Sequence, residues 1–324
     1  MSYDTVLKGG TVIDPASGVE EKFDIAIKDG KIATVGKDID PAGVETISVA
    51  ECIVCPGVTD FHTHIYWGGD WGIDADQIGP KTGVTSFLDC GTAGAGNFMG
   101  FYEHIIKKST VRIFSYLHIA YNGLFGAIFR PESFRIIGEL EDIRIALIDK
   151  AVGVAEQYPD VIKGIKVRAS VETIGGNGLQ AVRLAKKAAS MLDLPVMVHV
   201  GPPPLSIEDI LEQLDAGDIL THSFRGPQNC LIDRRGKVIP EAIEARKRGL
   251  LFDIGHGKSS FHFETAQKLF DNGFPPDIIS SDLHAYSITG PVFDMPTTMS
   301  KFLSLGMEVS DVIKAVTIKP MTVL

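Results

Sequence analysis

The chain has 324 residues, 44% of them hydrophobic and 22% charged, a globular composition that excludes disordered and fibrous classes. Thirty-one basic against 41 acidic residues give a net charge of −10, which argues against a nucleic-acid partner, because phosphate neutralisation needs a basic footprint. No apolar run approaches the roughly 18 residues that span a bilayer, so no membrane partner is expected. Met1-Ser2-Tyr3-Asp4 opens without the apolar stretch of a secretory signal, and a cytoplasmic protein is expected.

Residues 5–12, 24–27 and 31–35 are short β-type runs separated by Gly9-Gly10, Asp14-Pro15 and the hairpin signal Asp29-Gly30. Residues 1–57 are therefore expected to form a small all-β unit. Cys52 and Cys55 make a lone C-x-x-C with no second pair for zinc, and two buried small hydrophobes are expected there. Cys90 and Cys230 are expected to be unpaired thiols.

From residue 58 the texture changes to apolar runs alternating with amphipathic stretches. Strands are expected over 58–64, 85–90, 111–120, 162–168, 196–199, 218–222, 251–254 and 278–282. Helices are expected over 98–108, 141–157, 179–191, 207–214, 240–248 and 263–272. Eight such strands predict an α/β fold, a (β/α)8 TIM barrel over residues 58–324. An open doubly wound sheet is the runner-up, with residues 91–96 (GTAGAG) as its only phosphate-loop candidate.

The histidines fall in a pattern. His62 and His64 flank Thr63 in a strand, and a period of two puts both imidazoles on one face. His199, His222 and Asp282 end the fifth, sixth and eighth strands, where barrel enzymes gather their catalytic groups. Four imidazoles and a carboxylate there suit a first-row metal, zinc most commonly. His256 and His284 lie just past strand ends, as supporting or substrate-binding candidates. His104 reads as a helical surface residue, while His118 and His262 stand in no motif.

Parity divides the fourth strand. Lys163, Ile165 and Val167 share the helix-facing side, while Ile162, Gly164, Lys166 and Arg168 point inward. An ammonium repels a metal, but a deprotonated lysine can capture carbon dioxide, and the carbamate is an anionic ligand able to bridge two ions. A lysine paired to a nearby carboxylate is the plainer reading.

Asp60-Phe61-His62-Thr63-His64, Lys166, His199, His222 and Asp282 together resemble the amidohydrolase superfamily. More narrowly, the segments Gly164-Ile165-Lys166-Val167-Arg168-Ala169-Ser170, Val198-His199-Val200-Gly201, Phe252-Asp253-Ile254-Gly255-His256-Gly257 and Ser281-Asp282-Leu283-His284 resemble dihydroorotase-like amidohydrolase/deacetylase metallohydrolases. The likeness runs from Val6-Leu7-Lys8-Gly9-Gly10 to Thr298-Met299-Ser300-Lys301. It implies two divalent metal ions, usually zinc. His62, His64 and Asp282 would hold the buried one, His199 and His222 the more exposed one, and carboxylated Lys166 both. It also implies a β-sandwich built from both termini. Family members continue past the segment matching Ala315-Val316-Thr317-Ile318-Lys319-Pro320, so the small domain is expected to lack its C-terminal strands and to expose an edge.

The implied reaction is attack of a metal-bridging hydroxide on the carbonyl of an amide or ester, with Asp282 shuttling the proton and His284 steadying carbonyl or substrate. A mononuclear deaminase would want a Glu shortly after His199, where Val200-Gly201-Pro202-Pro203 stands instead. The same residues leave room for a cyclic amidohydrolase of the dihydroorotase type, a phosphotriesterase-like enzyme or a metal-free assembly protein. Arg168, nearer the barrel mouth than Lys166, offers a fork for a carboxylate, so a small N-acyl amino acid or O-acyl hydroxy acid is the expected substrate. An internal salt bridge to a loop acid is the competing reading of Arg168. A homo-oligomer is expected.

Overall fold

The computed structural model describes residues 3–130, 135–203 and 205–324. The N-terminal segment folds as a sheet of β1 (Thr5–Asp14), β2 (Val19–Lys28), β3 (Lys31–Gly36), β4 (Glu45–Ser48) and β5 (Ile53–Val54). The order is β3-β2-β1-β4, with β5 pairing farther along β1. Asp29 and Gly30 take φ of 50° and 70°, the left-handed pair that a two-residue hairpin requires, and so β2 turns tightly into β3. Buried Asp24 accepts from Lys8 Nζ and from the Gly9 and Ile39 amides, tying strand to loop. The outer strands are exposed and carry Ile32 and Ile47 at the surface. Cys52 is exposed and Cys55 half-buried, contrary to expectation, because the short β5 run lies at this edge rather than in a core.

The larger unit is a parallel sheet of β6 (Val58–Thr63), β7 (Val84–Gly94), β8 (Arg112–His118), β11 (Ile162–Ala169), β12 (Val196–Val200), β13 (Ile219–Thr221) and β14 (Leu251–Phe252). Two three-residue strands, β9 (Ile128–Arg130) and β10 (Arg135–Ile137), pair antiparallel outside it. The sheet curls. Its first strand meets Leu283 through Thr63, and its last meets Ile278 through Asp253. The expected eighth strand is thus a run of isolated bridges rather than a ladder. The Asp60 carboxylate takes both the amide and the hydroxyl of Ser281, and Asp282 turns to a φ of 49°, which ends extended backbone there. The architecture is a (β/α) barrel beside a small sheet.

The helices are α1 (Ala75–Thr82), α2 (Phe98–His104), α3 (Ile148–Gln157), α4 (Val171–Ile174), α5 (Gln180–Leu192), α6 (Ile207–Glu212), α7 (Pro240–Arg248), α8 (Phe263–Asp271), α9 (Met295–Ser304), α10 (Val309–Val316) and α11 (Ile318–Met321). α7 shows the local logic: Pro240 starts it, and Gly249 closes it at a φ of 98°. α5 buries Ala181, Val182, Ala185, Ala188 and Ala189, small side chains that bring its axis close to the sheet. The expected helix over 141–157 is half right. It begins only at Ile148, because Asp142 caps a separate 3-10 turn over Ile143–Ile145. Among the described residues no helix is long and apolar enough to cross a membrane.

Two apolar layers result. Ile165 and Val167 face the helices, while Phe61, Leu88, Tyr116, Met197 and Ile219 fill the barrel. Ile162, expected inside, lies with the helix-facing group, because the register shifts between Ile162 and Gly164. Gly164 has no room for a side chain: a Cβ would stand 2.7 Å from the Tyr116 ring. Val323 and Leu324 pack against the inner layer.

Below the barrel, buried Asp218 accepts from the Val196 and Asp215 amides and pairs with Lys186. Asp218→Ala would strand both amides and leave the Lys186 ammonium to Asp215 alone, and should lower the unfolding free energy by about 2–4 kcal/mol in chemical denaturation. Unchanged stability would show that the strand base holds without it.

Candidate metal centre and substrate cavity

His62 sits on β6 and His64 one residue beyond it. Lys166 and Arg168 lie on β11, His199 on β12, His222 just past β13, and Asp282 on the bridging run. All are at the C-terminal end of the sheet, and all line one cavity of about 320 Å³. Lys163, by contrast, turns outward to the Pro159 carbonyl. His222 and Asp282 both adopt positive φ, 64° and 49°, which turns their side chains over the barrel axis at a cost that functional sites tolerate.

The imidazoles are aimed from behind. His222 Nδ1 donates to the Gly255 carbonyl at 2.6 Å, leaving the Nε2 lone pair free. The Thr221 hydroxyl donates to Asp253 at 2.6 Å, so its oxygen accepts from His62 Nδ1 at 2.8 Å. His62 therefore also presents a bare Nε2. Thr92 stands 2.9 Å from His64 Nδ1 and bonds Asp89, repeating the arrangement. Such outer partners fix ring orientation and raise ligand basicity.

Burial pushes His62 and His64 well below the usual imidazole range, and the Lys166 charge pushes them further. Burial does the same to His199 and brings His222 to about 3. The four rings are neutral bases. Burial also pulls the Lys166 amine below the ordinary lysine value. Its Nζ lies 3.3 Å from His62 Nε2 and from Met197 Sδ, with no carboxylate partner among the described residues.

Asp282 Oδ1 stands 3.5 Å from His62 Nε2 and 3.2 Å from His64 Nε2. It is fully buried and accepts no hydrogen bond among the described residues, an arrangement costly for a carboxylate unless a cation completes it. Ligand atoms of His62, His222 and Asp282 all lie within 4.8 Å of one another, and the His199 ring stands edge-on to His222 at 4.4 Å. The donor set fits a borderline metal such as zinc.

Arg168 lines the cavity, but its fork is occupied. Nε and Nη2 each donate at 2.7 Å to the two oxygens of Glu139, which is completely buried. This is the internal pair rather than a fork left open for substrate. His118 closes the same group, its Nε2 3.3 Å from Glu139 while Nδ1 accepts from the Ala120 amide. Burial opposes ionisation of Glu139, but Arg168 and His118 hold it far below the carboxylate range.

The two remaining candidates separate. His284 faces the cavity. Its Nδ1 accepts from the Tyr286 amide at 3.1 Å, so the proton sits on Nε2, and the ring packs against Trp71. His256 does not line the cavity. Its Nδ1 donates to the Gly257 carbonyl, its Nε2 accepts from Lys301, and its ring stacks on Phe261. It braces a loop.

Sequence reasoning missed Asp253, Thr221, Thr92, Asp89, Glu139 and His118. Asp253 lies inside the motif that runs from Phe252 to Gly257, while Glu139 lies in a loop with no motif at all. Asp253→Ala should free His62 to rotate and weaken retained divalent metal about 10–100-fold in chelator competition. Unaltered retention would reduce Asp253 to a barrel-packing residue.

No protein-family model matches the chain. Among curated proteins it is 39% identical over 315 residues to a deacetylase of Brucella anthropi, covering 95% of this chain and 77% of that one. It is 33% identical over 325 aligned positions to a deacetylase of Enterococcus faecalis, with 99% and 84% covered. A solved structure described as a dihydroorotase superposes with a TM-score of 0.89 at 36% identity, covering 98% of this chain and 83% of that one. Another, described as an adenine deaminase, gives 0.87 at 32% identity, covering 99% and 84%. The chain belongs to the deacetylases of the amidohydrolase superfamily, and with them to the hydrolases of carbon–nitrogen bonds.

Proposed function

We propose that the protein is a metal-dependent deacylase that hydrolyses the amide, or ester, bond of a small acylated acid. In this reading residues 1–57 are the small domain and 58–324 the catalytic one. The observation that carries the proposal is the buried, unpartnered Asp282 oxygen set among bare imidazole nitrogens in a single cavity. His62, His64 and Asp282 would hold one divalent ion, His199 and His222 a second, and carboxylated Lys166 both. Such ions supply Lewis acidity toward the acyl carbonyl and a water acidic enough to attack at neutral pH.

The side chains divide the remaining work. Asp282 takes the attacking water's proton and returns it to the leaving nitrogen or oxygen, for which a carboxylate at the reacting centre is suited. His284, protonated at Nε2, donates toward the carbonyl oxygen as charge grows there. Burial lowers the Lys166 amine and so favours release of its proton, and the deprotonated amine has the lone pair that adds to carbon dioxide. A C–N bond forms, one proton leaves, and the product is the carbamate.

Metal analysis of loaded protein should give close to two ions per chain. Saturation at one, with Lys166→Ala unaffected, would sink the two-ion reading. Lys166→Ala should lose on the order of a hundredfold or more in kcat/KM, with partial rescue by short-chain carboxylic acids. A panel of N-acyl amino acids, O-acyl hydroxy acids, cyclic ureides and adenine separates the chemistries. Turnover confined to ureides would favour cyclic amidohydrolysis, and ammonia release from adenine would favour deamination.

A further inference from the structure

A carboxylate-bearing substrate needs a cation, and Arg168, the expected one, gives its fork to Glu139. Two lysines also line the cavity. Lys166 stands among the imidazoles at its floor, leaving Lys258 at the mouth. Lys258 is exposed and makes no ion pair among the described residues. Arg225 has buried nitrogens without partners, but it does not line the cavity.

The backbone puts Lys258 in place. Gly257 takes a φ of 54°, and a Cβ there would stand 2.3 Å from Asp282 Oδ2, so the chain crosses directly over the reacting carboxylate. The Gly257 amide donates to the Ser281 carbonyl at 2.9 Å, and His256, anchored by Lys301, grips the Gly257 carbonyl. The next three residues, Lys258, Ser259 and Ser260, all line the cavity. Glu172 also lines it and interacts with Arg168 and Arg225. Its charge makes that side unfavourable for an anion.

We propose that Lys258 recognises the substrate's carboxylate, with the Ser259 and Ser260 hydroxyls as additional donors, while Arg168 is a wall of the cavity fixed by Glu139. The assignment rests on the deacylase reading above and names the residue that confers its preference for acids. An acylated acid then spans the cavity with its acyl carbonyl over Asp282 and His284 and its carboxylate at the mouth.

The test compares the acylated acid that the substrate panel ranks first with its neutral carboxamide, on wild type, Lys258→Met, Lys258→Gln and Lys258→Arg. Wild type should prefer the acid by roughly tenfold or more in kcat/KM. Met and Gln should bring that ratio near one, chiefly through KM, and Arg should retain most of it. Because an exposed pair is screened, rising salt should erode the wild-type preference, as it would not for a buried guanidinium. Retention of the full ratio by both neutral variants overturns the assignment. A wild type that hydrolyses acid and amide alike also overturns it but leaves deacylation standing. A wild type that hydrolyses no acylated substrate overturns both.

Discussion

The constraint on which this molecule turns is desolvation at the mouth of the barrel. Three imidazoles, a lysine and several carboxylates are shut away from water within a few side-chain lengths of one another, with the half-buried His199 beside them. Isolated charges cannot survive there, so the groups take their neutral forms or find partners. The imidazoles lose their protons, and the amine is drawn the same way. Burial likewise raises Asp60 to about 7 and Asp253 to about 6, against the hydrogen bonds that each receives. What remains is a ring of lone pairs around one unsatisfied carboxylate oxygen, a set of ligands before it is anything else.

That ring exists because the sheet is bent back on itself by polar contacts. The run after Asp277 lacks a full ladder to either neighbour, yet Asp60 grips Ser281 from one side and Asp253 receives the Ser280 hydroxyl from the other. The same Asp253 orients Thr221 and, through it, His62. Closure of the fold and aim of the imidazole are therefore one hydrogen-bond network. A change made to tune one disturbs the other.

Period and parity make much of this legible in the sequence. Short apolar runs ending in His, Lys or Asp mark the parallel strands and the face on which the charged groups meet. What fails does so where local pattern yields to tertiary context. The amphipathic period over 141–157 cannot reveal that Asp142 caps its own turn. Parity misplaces Ile162 because a register shift intervenes before Gly164. The C-x-x-C has the apolar flanks of a core strand, but β5 is two residues long and lies at an edge. α1 escapes a search for helical period because Pro80 interrupts it, though Asp74 caps the helix and Gly83 ends it.

Arg168 shows why a site can be read from strands while its specificity cannot. Strand parity correctly turns the guanidinium toward the cavity, and nothing in the strand says whether its fork is free. The answer lies 29 residues upstream, in Glu139, on a loop whose sequence has no periodicity to read. A completely buried carboxylate there is held chiefly by the guanidinium, with His118 beside it, since leaving either charge of the pair alone would cost several kcal/mol. The pair locks the arginine as a cavity wall, stacked against Trp71 at 5.7 Å, and removes it from the cations available to a ligand. In the proposed reading recognition passes to side chains that remain solvated, because they can exchange water for substrate without first breaking a bond within the protein. On that reading the strands supply the reacting groups, and the loop that crosses above them supplies the choice of substrate.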